Sequence, residues 1–167
     1  MNFKFLLTFI FLISLTSCGV YNFTGGSLDD RYQSIKVDRF PNYSSYQNPN
    51  YSQEFTNDLQ LRFDQRTSMS LTNQDDADII LEGEIQDYYV SPVSITSGEQ
   101  AAQNRLTIKV KVIYTNNIEE DKSFSRTFTD FEDFPANQTL QQVEAALVPD
   151  INTRLIDQIF TAVIADW

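Results

Sequence analysis

Residues 77–90 read ADIILEGEIQDYYV. Ile79, Leu81, Gly83, Ile85 and Tyr89 fall on one side of a two-residue repeat, and Glu82, Glu84 and Gln86 fall on the other. Alternation of this kind marks a strand with one buried face. A second such stretch, Arg105 to Tyr114, carries Leu106, Ile108, Val110, Val112 and Tyr114 inward and Lys109 and Lys111 outward. Between them, Ser91 to Gln103 is a connection containing Pro92 and Gly98. Asn116 to Asp121 is an acidic hairpin turn, and Ser123 to Phe131, with Phe124 and Phe128, is the last strand. A sheet with one apolar face needs a second layer to cover it.

Two helical stripes supply that layer. Tyr51, Phe55, Leu59 and Phe63 recur every four residues and predict a helix over 51–66. Asn50 is its expected N-cap, with Gln53 in the capping-box position. Leu140, Val143, Leu147, Ile151, Leu155, Ile159 and Val163 form a second stripe. It holds its phase through Pro149, which predicts a kink near 145–149 in one helix rather than two unrelated helices. Upstream, Ser34 to Phe40 alternates as a strand and stops at Pro41, and Ser68 to Thr72 is a short strand. The expected fold is α+β: a two-layer sandwich with two helices packed on one face of a mixed sheet of about four to five strands.

The sequence opens with Met1 to Lys4, which carries one positive charge, then an apolar run from Phe5 to Ile13 and a small-residue junction, Leu15-Thr16-Ser17-Cys18. Such a start is a secretory signal peptide, and its apolar run is shorter than the roughly 20 residues a membrane-spanning helix needs. The junction resembles the lipobox of bacterial lipoproteins. That resemblance implies cleavage before Cys18, a diacylglycerol on its sulfur and an acylated new amino group. Each buried methylene contributes about 0.8 kcal/mol, so two or three chains anchor stably. An ordinary signal peptide with an incidental thiol would leave unexplained why the sole cysteine stands at this junction. Expected boundaries are a signal peptide over 1–17, a lipidated tether over 18–33 and one domain over 34–167. The residue after Cys18 is Gly19, not the aspartate of inner-membrane retention, and the first acids are Asp29 and Asp30. By the same resemblance, this places the protein on the periplasmic leaflet of the outer membrane.

Composition narrows the chemistry. The 12 basic and 23 acidic residues give a net charge of −11, and losing Lys4 with the signal peptide makes it −12. Bulk electrostatics therefore disfavour nucleic acid. With no histidine and its one cysteine acylated, the chain has no Ser-His-Asp triad, Cys-His pair or usual zinc site. No cofactor is implied. The acidic clusters Asp75/Asp76/Asp78 and Glu119/Glu120/Asp121 lack the calcium-loop pattern and read as solvated turns. No pair among the 23 acids is singled out for glycoside hydrolysis. Trp167 ends an apolar stripe and is expected to pack. One candidate anion site remains, Arg105, Lys109 and Lys111 on the outward face of one strand. It competes with cross-strand pairing to Glu82 and Glu84.

Five stretches occur in a telling order. They are Cys18-Gly-Val-Tyr-Asn-Phe-Thr-Gly25, Arg39-Phe-Pro-Asn42, Leu81-Glu-Gly-Glu-Ile85 with Tyr88 and Pro92-Val93, Ala101-Ala-Gln-Asn-Arg-Leu-Thr-Ile108, and Phe131-Glu-Asp-Phe134. In order and spacing the mature chain resembles LptE, the lipoprotein family of lipopolysaccharide assembly. The resemblance implies two helices on a four-stranded mixed sheet and a non-enzymatic role. It implies a partner, an LptD-type outer-membrane β-barrel that the protein plugs and helps assemble, and lipopolysaccharide as a ligand. Lipopolysaccharide binding in that family is associated with basic residues, whereas this chain is acidic, which weights the resemblance towards plug and scaffold. The alternative is a periplasmic lipoprotein that regulates another envelope machine, such as a peptidoglycan synthase.

Overall fold

The computed structural model describes residues 31–46, 48–93 and 102–164. Cys18, the signal peptide, the tether up to residue 30, Gly98 and Trp167 lie outside the described residues. The elements run β1 (Ser34–Val37), α1 (Tyr51–Arg66), β2 (Ser70–Leu71), β3 (Ile79–Val93), β4 (Gln103–Asn116), β5 (Phe124–Pro135) and α2 (Leu140–Ile164), with a 3-10 turn at Glu120–Lys122. The sheet order is β2-β1-β3-β4-β5. The first two pairings are parallel and the last two antiparallel. Both helices pack on the same sheet face, giving the expected α+β layering.

The expected strands are present, with shifted ends. β1 is shorter than the stretch to Phe40, and β3, β4 and β5 run further than the alternation indicated. The larger correction is in β3. The register slips by one residue between Ile85 and Asp87, so the inward parity changes beyond Gln86. Tyr88, not Tyr89, turns into the core, and Tyr89 stands on the outer face at 39% exposure.

Pro92 fits the far end of β3 for a related reason. Tyr43 N–H donates to Ile85 O, the last bond on the β1 side, so beyond it β3 is an edge among the described residues. The alternation after the slip points the backbone of Tyr88, Val90 and Pro92 away from β4. The N–H that Pro92 lacks would have faced that edge, so no ladder bond is lost.

The core is continuous. Ile35, Val37, Leu81, Ile85, Ile108, Val110 and Val112 meet Phe55, Leu59, Phe63, Ile151, Leu155 and Ile159. Phe40 crosses from β1 to α1 through this core. Its N–H donates to Thr56 Oγ1 at 3.1 Å, and its carbonyl accepts Ser52 Oγ at 2.6 Å. Two small hydroxyls on α1 therefore satisfy a buried backbone unit that has no strand neighbour. Gly83 lies beneath the Phe40 ring. A Cβ there would collide with that ring and with the Lys111 carbonyl oxygen.

α1 has the expected bounds and cap position, but its capping bonds differ from expectation. Asn50 sits in the helical region (φ −92°, ψ −21°), and its side chain makes no capping bond. Its carbonyl already accepts from Gln53 and Glu54, while Asn48 Oδ1 accepts the Asn50 N–H at 3.1 Å. Gln53 turns instead to Asn57 Oδ1 at 2.7 Å. The side-chain acceptor is thus Asn48, two residues earlier. One half of a capping box occurs on α2, where Gln142 Oε1 accepts the Thr139 N–H at 2.8 Å and its hydroxyl at 3.1 Å. α2 runs unbroken through Pro149, whose ring is exposed.

Candidate functional site

The three cations singled out from the sequence stand on the sheet face opposite the helices. In-register rows across β3, β4 and β5 are Ser91–Arg105–Asp133, Tyr89–Thr107–Phe131, Asp87–Lys109–Thr129 and Glu84–Lys111–Thr127. Arg105 forks onto Asp133 at 2.7 and 2.9 Å. Its guanidinium also lies 3.7 Å above the Phe131 ring. The hydrogen bond to Asp133 raises the Arg105 pKa, and Arg105 in turn holds the Asp133 carboxyl below the usual range. Lys109 Nζ is 3.0 Å from Asp87 Oδ2, which raises its pKa, and 5.7 Å from the Tyr89 ring. Lys111 forms no ion pair within 4.0 Å among the described residues, and Glu84 opposite it accepts from Gln86 Nε2 at 3.2 Å.

Two features of this face were not legible beforehand. Asp133, the partner of Arg105, comes from β5 rather than from the glutamates of β3. Tyr89 and Phe131 flank Thr107, which is buried although it points away from the helices. The result is an aromatic row bordered by cations. A phosphate approaching it meets Lys111 unpaired, and must compete with Asp133 for Arg105 and with Asp87 for Lys109.

The helix side carries a different arrangement. A cleft of about 530 Å³ between α1 and α2 is lined by Asn48, Glu54, Asp58, Glu144, Val148 and Asn152 among others. On its rim, Glu144 accepts hydrogen bonds from Tyr88 (2.6 Å), Asn48 (2.9 Å) and Tyr46 (3.0 Å). The Tyr46 and Tyr88 rings stack at 4.9 Å, and Tyr88 meets Tyr51 edge-on at 5.3 Å. Tyr51 then donates to Asn152 Oδ1 at 2.6 Å. Burial, with the Glu144 bond second, pushes the Tyr88 phenol far up, and burial pushes up the Asp58 carboxyl. No group of three or more metal-ligating side chains converges among the described residues. The cleft thus ties a loop, a strand and two helices together.

At the far end of the sheet, Tyr32 donates to Glu119 Oε2 at 2.7 Å and accepts from Asn116 Nδ2 at 3.1 Å. Asp78 accepts the N–H groups of Gln33 and Ser34 at 2.8 and 2.9 Å. Burial raises its pKa, but these bonds outweigh that and hold it below the usual range. The first described residues therefore lie at the start of β3, while Tyr89, Phe131 and Arg105 lie towards the other end. At about 3.3 Å per residue, Ile79 and Tyr89 are separated by roughly 30 Å. No helix among the described residues is long and apolar enough to cross a membrane.

A family model described as "LptE: Lipopolysaccharide-assembly" matches residues 32–163. Among solved structures, the chain is similar to a minor lipoprotein from Acinetobacter baumannii, at 17% identity and a TM-score of 0.55, covering 81% of this chain and 95% of that one. It is similar to the rare lipoprotein B from Shewanella oneidensis, at 11% identity and a TM-score of 0.50, covering 80% and 96%. It is also similar to lipoprotein B from Nitrosomonas europaea, at 13% identity and a TM-score of 0.52, covering 84% and 91%. At these identities the likeness is one of fold. A comparison with curated protein sequences returns no match.

Proposed function

The chain belongs to the LptE family of lipopolysaccharide-assembly proteins, and on that premise we propose that it plugs an LptD-type outer-membrane β-barrel and helps it assemble. LptE-family proteins are non-enzymatic assembly lipoproteins, and membership carries a role in lipopolysaccharide assembly. The family match over residues 32–163 is the observation that carries the reading. The distribution of exposed apolar side chains supports the plug. Tyr43 lies on a loop, Leu61 on α1, Leu71 on β2, Tyr89, Ile113 and Phe131 on the outer sheet face, and Ile118 on the hairpin. A protein enclosed by its partner needs contact on several sides at once, rather than one patch.

The anchor in this reading is an acylated Cys18 in the periplasmic leaflet of the outer membrane. The first described residues lie at the Tyr32–Glu119 end of the sheet, away from the aromatic and cationic rows. Labelling with a palmitate analogue tags the wild type, and equal labelling of Cys18→Ala would refute the anchor. Lipopolysaccharide phosphate is the ligand assigned to Arg105, Lys109 and Lys111. Depleting the protein should leave the barrel misassembled and lipopolysaccharide short of the cell surface. Normal barrel assembly after depletion would refute the role.

A further inference from the structure

We propose that the outer edge of β5 is a strand-pairing surface for the β5 of a second copy of this chain, held shut by Arg154. Alternate residues of an antiparallel strand direct both backbone groups to the same side. Just past the ends of the two strands, Ala136 N–H bonds to Ala102 O, so the even-numbered residues of β5 face β4. Ser125, Thr127, Thr129, Phe131 and Asp133 therefore present their N–H and C=O groups to the edge. An edge of this length is a template for another strand unless something covers it.

Arg154, on α2, covers its centre. Its Nη2 donates to the Phe131 carbonyl at 2.8 Å and to Glu132 Oε2 at 2.9 Å, and its Nε donates to Asp130 Oδ1 at 2.8 Å. Asp130 Oδ1 also accepts the Phe131 N–H at 2.8 Å, and Gln158 holds Asp130 Oδ2 at 2.9 Å. Both edge-facing groups of Phe131 are thus consumed by one latch.

The exposed sequence is self-complementary. In antiparallel pairing centred on Thr129, Ser125 faces Asp133, Thr127 faces Phe131 and Thr129 faces its own copy. On the helix side, Arg126 then faces Glu132 twice and Phe128 faces Asp130. No like charges oppose each other, whereas centring on Asp130 would set two aspartates together. Opening the latch releases the Phe131 backbone and the Glu132 carboxylate together, the two groups this register needs.

The test uses the full-length lipoprotein in detergent, oxidised with copper phenanthroline and run without reductant. Across a hydrogen-bonded antiparallel pair, Cα atoms lie about 5.5 Å apart, within the span a disulfide bridges. Thr129→Cys alone should remain monomeric. Thr129→Cys with Arg154→Gln should shift to a disulfide-linked dimer, and Ser125→Cys with Arg154→Gln should not. Thr129→Cys with Arg154→Leu removes every latch donor with a side chain of different chemistry and should give the same shift, which guards against a folding defect in one variant. Equal crosslinking with the latch intact would overturn the proposal. So would monomers from both open-latch variants with native circular dichroism, or a dimer through position 125.

Discussion

Glu144→Ala removes one acceptor from three donors in three different surroundings. Tyr88 is 1% exposed, so its phenol has no water to turn to. A buried donor left unsatisfied costs about 1–3 kcal/mol. Tyr46 and Asn48 are only partly buried, and water replaces the carboxylate there at a cost of about 0.5–1 kcal/mol each. The expected loss is about 3 kcal/mol. Tyr88→Phe removes the same donor from the other side and leaves Glu144 two partners, so it should cost about 1–1.5 kcal/mol. Combined with Glu144→Ala, it removes the orphaned hydroxyl, so the double variant should be no less stable than Glu144→Ala alone. The cycle is read by urea unfolding followed by circular dichroism, with midpoint and slope fitted together. Additive costs would show that the Tyr88–Glu144 bond carries no coupling and that the clasp is incidental.

Gly83→Ala should lower stability by at least about 2 kcal/mol, because neither the Lys111 carbonyl nor the Phe40 ring has room to retreat; an unchanged urea midpoint would contradict the close approach. The Glu119 carboxylate is lowered from 4.5 to about 2, first by its hydrogen bond to Lys122 and then by that from Tyr32. Its contribution is complete above pH 4.5 and fades as pH falls towards 2, so wild type and Glu119→Gln should differ in melting temperature at pH 6 and converge near pH 2. A constant difference across that window would contradict the pairing. Changing Arg105, Lys109 and Lys111 together to Gln should weaken lipopolysaccharide binding while leaving the far-ultraviolet spectrum intact. Unchanged binding would reduce the row to its ion pairs with Asp133 and Asp87.

The apolar repeats in β3, β4 and both helices were legible because burial on one face imposes a period on a single segment. The slip at Gln86 was not, because Asp87-Tyr88-Tyr89 offers a tyrosine to either face and only the partner strand decides between them. The same slip sets Lys109 opposite Asp87, and the third strand brings Asp133 to Arg105. One of the three cations thus has a partner that a two-strand reading does not contain, and a second has one that only the slipped register sets opposite it. Asn50 takes the cap position its spacing gave it, yet its side chain makes no capping bond because its backbone is already helical and its own carbonyl accepts from Gln53 and Glu54. Glu144 stands out least in sequence, since Tyr46, Asn48 and Tyr88 reach it only after the loop, strand and helix have been brought together.

The plug assignment is tested most directly by affinity purification of the full-length lipoprotein from detergent-solubilised outer membrane. A barrel that encloses this domain buries more than the ~1,600 Å² of a standard complex, an interface that survives extraction. The account predicts that one large outer-membrane β-barrel of the LptD type comes down with the protein in a stable complex. Recovery of a peptidoglycan synthase instead, or of no large β-barrel, would contradict it.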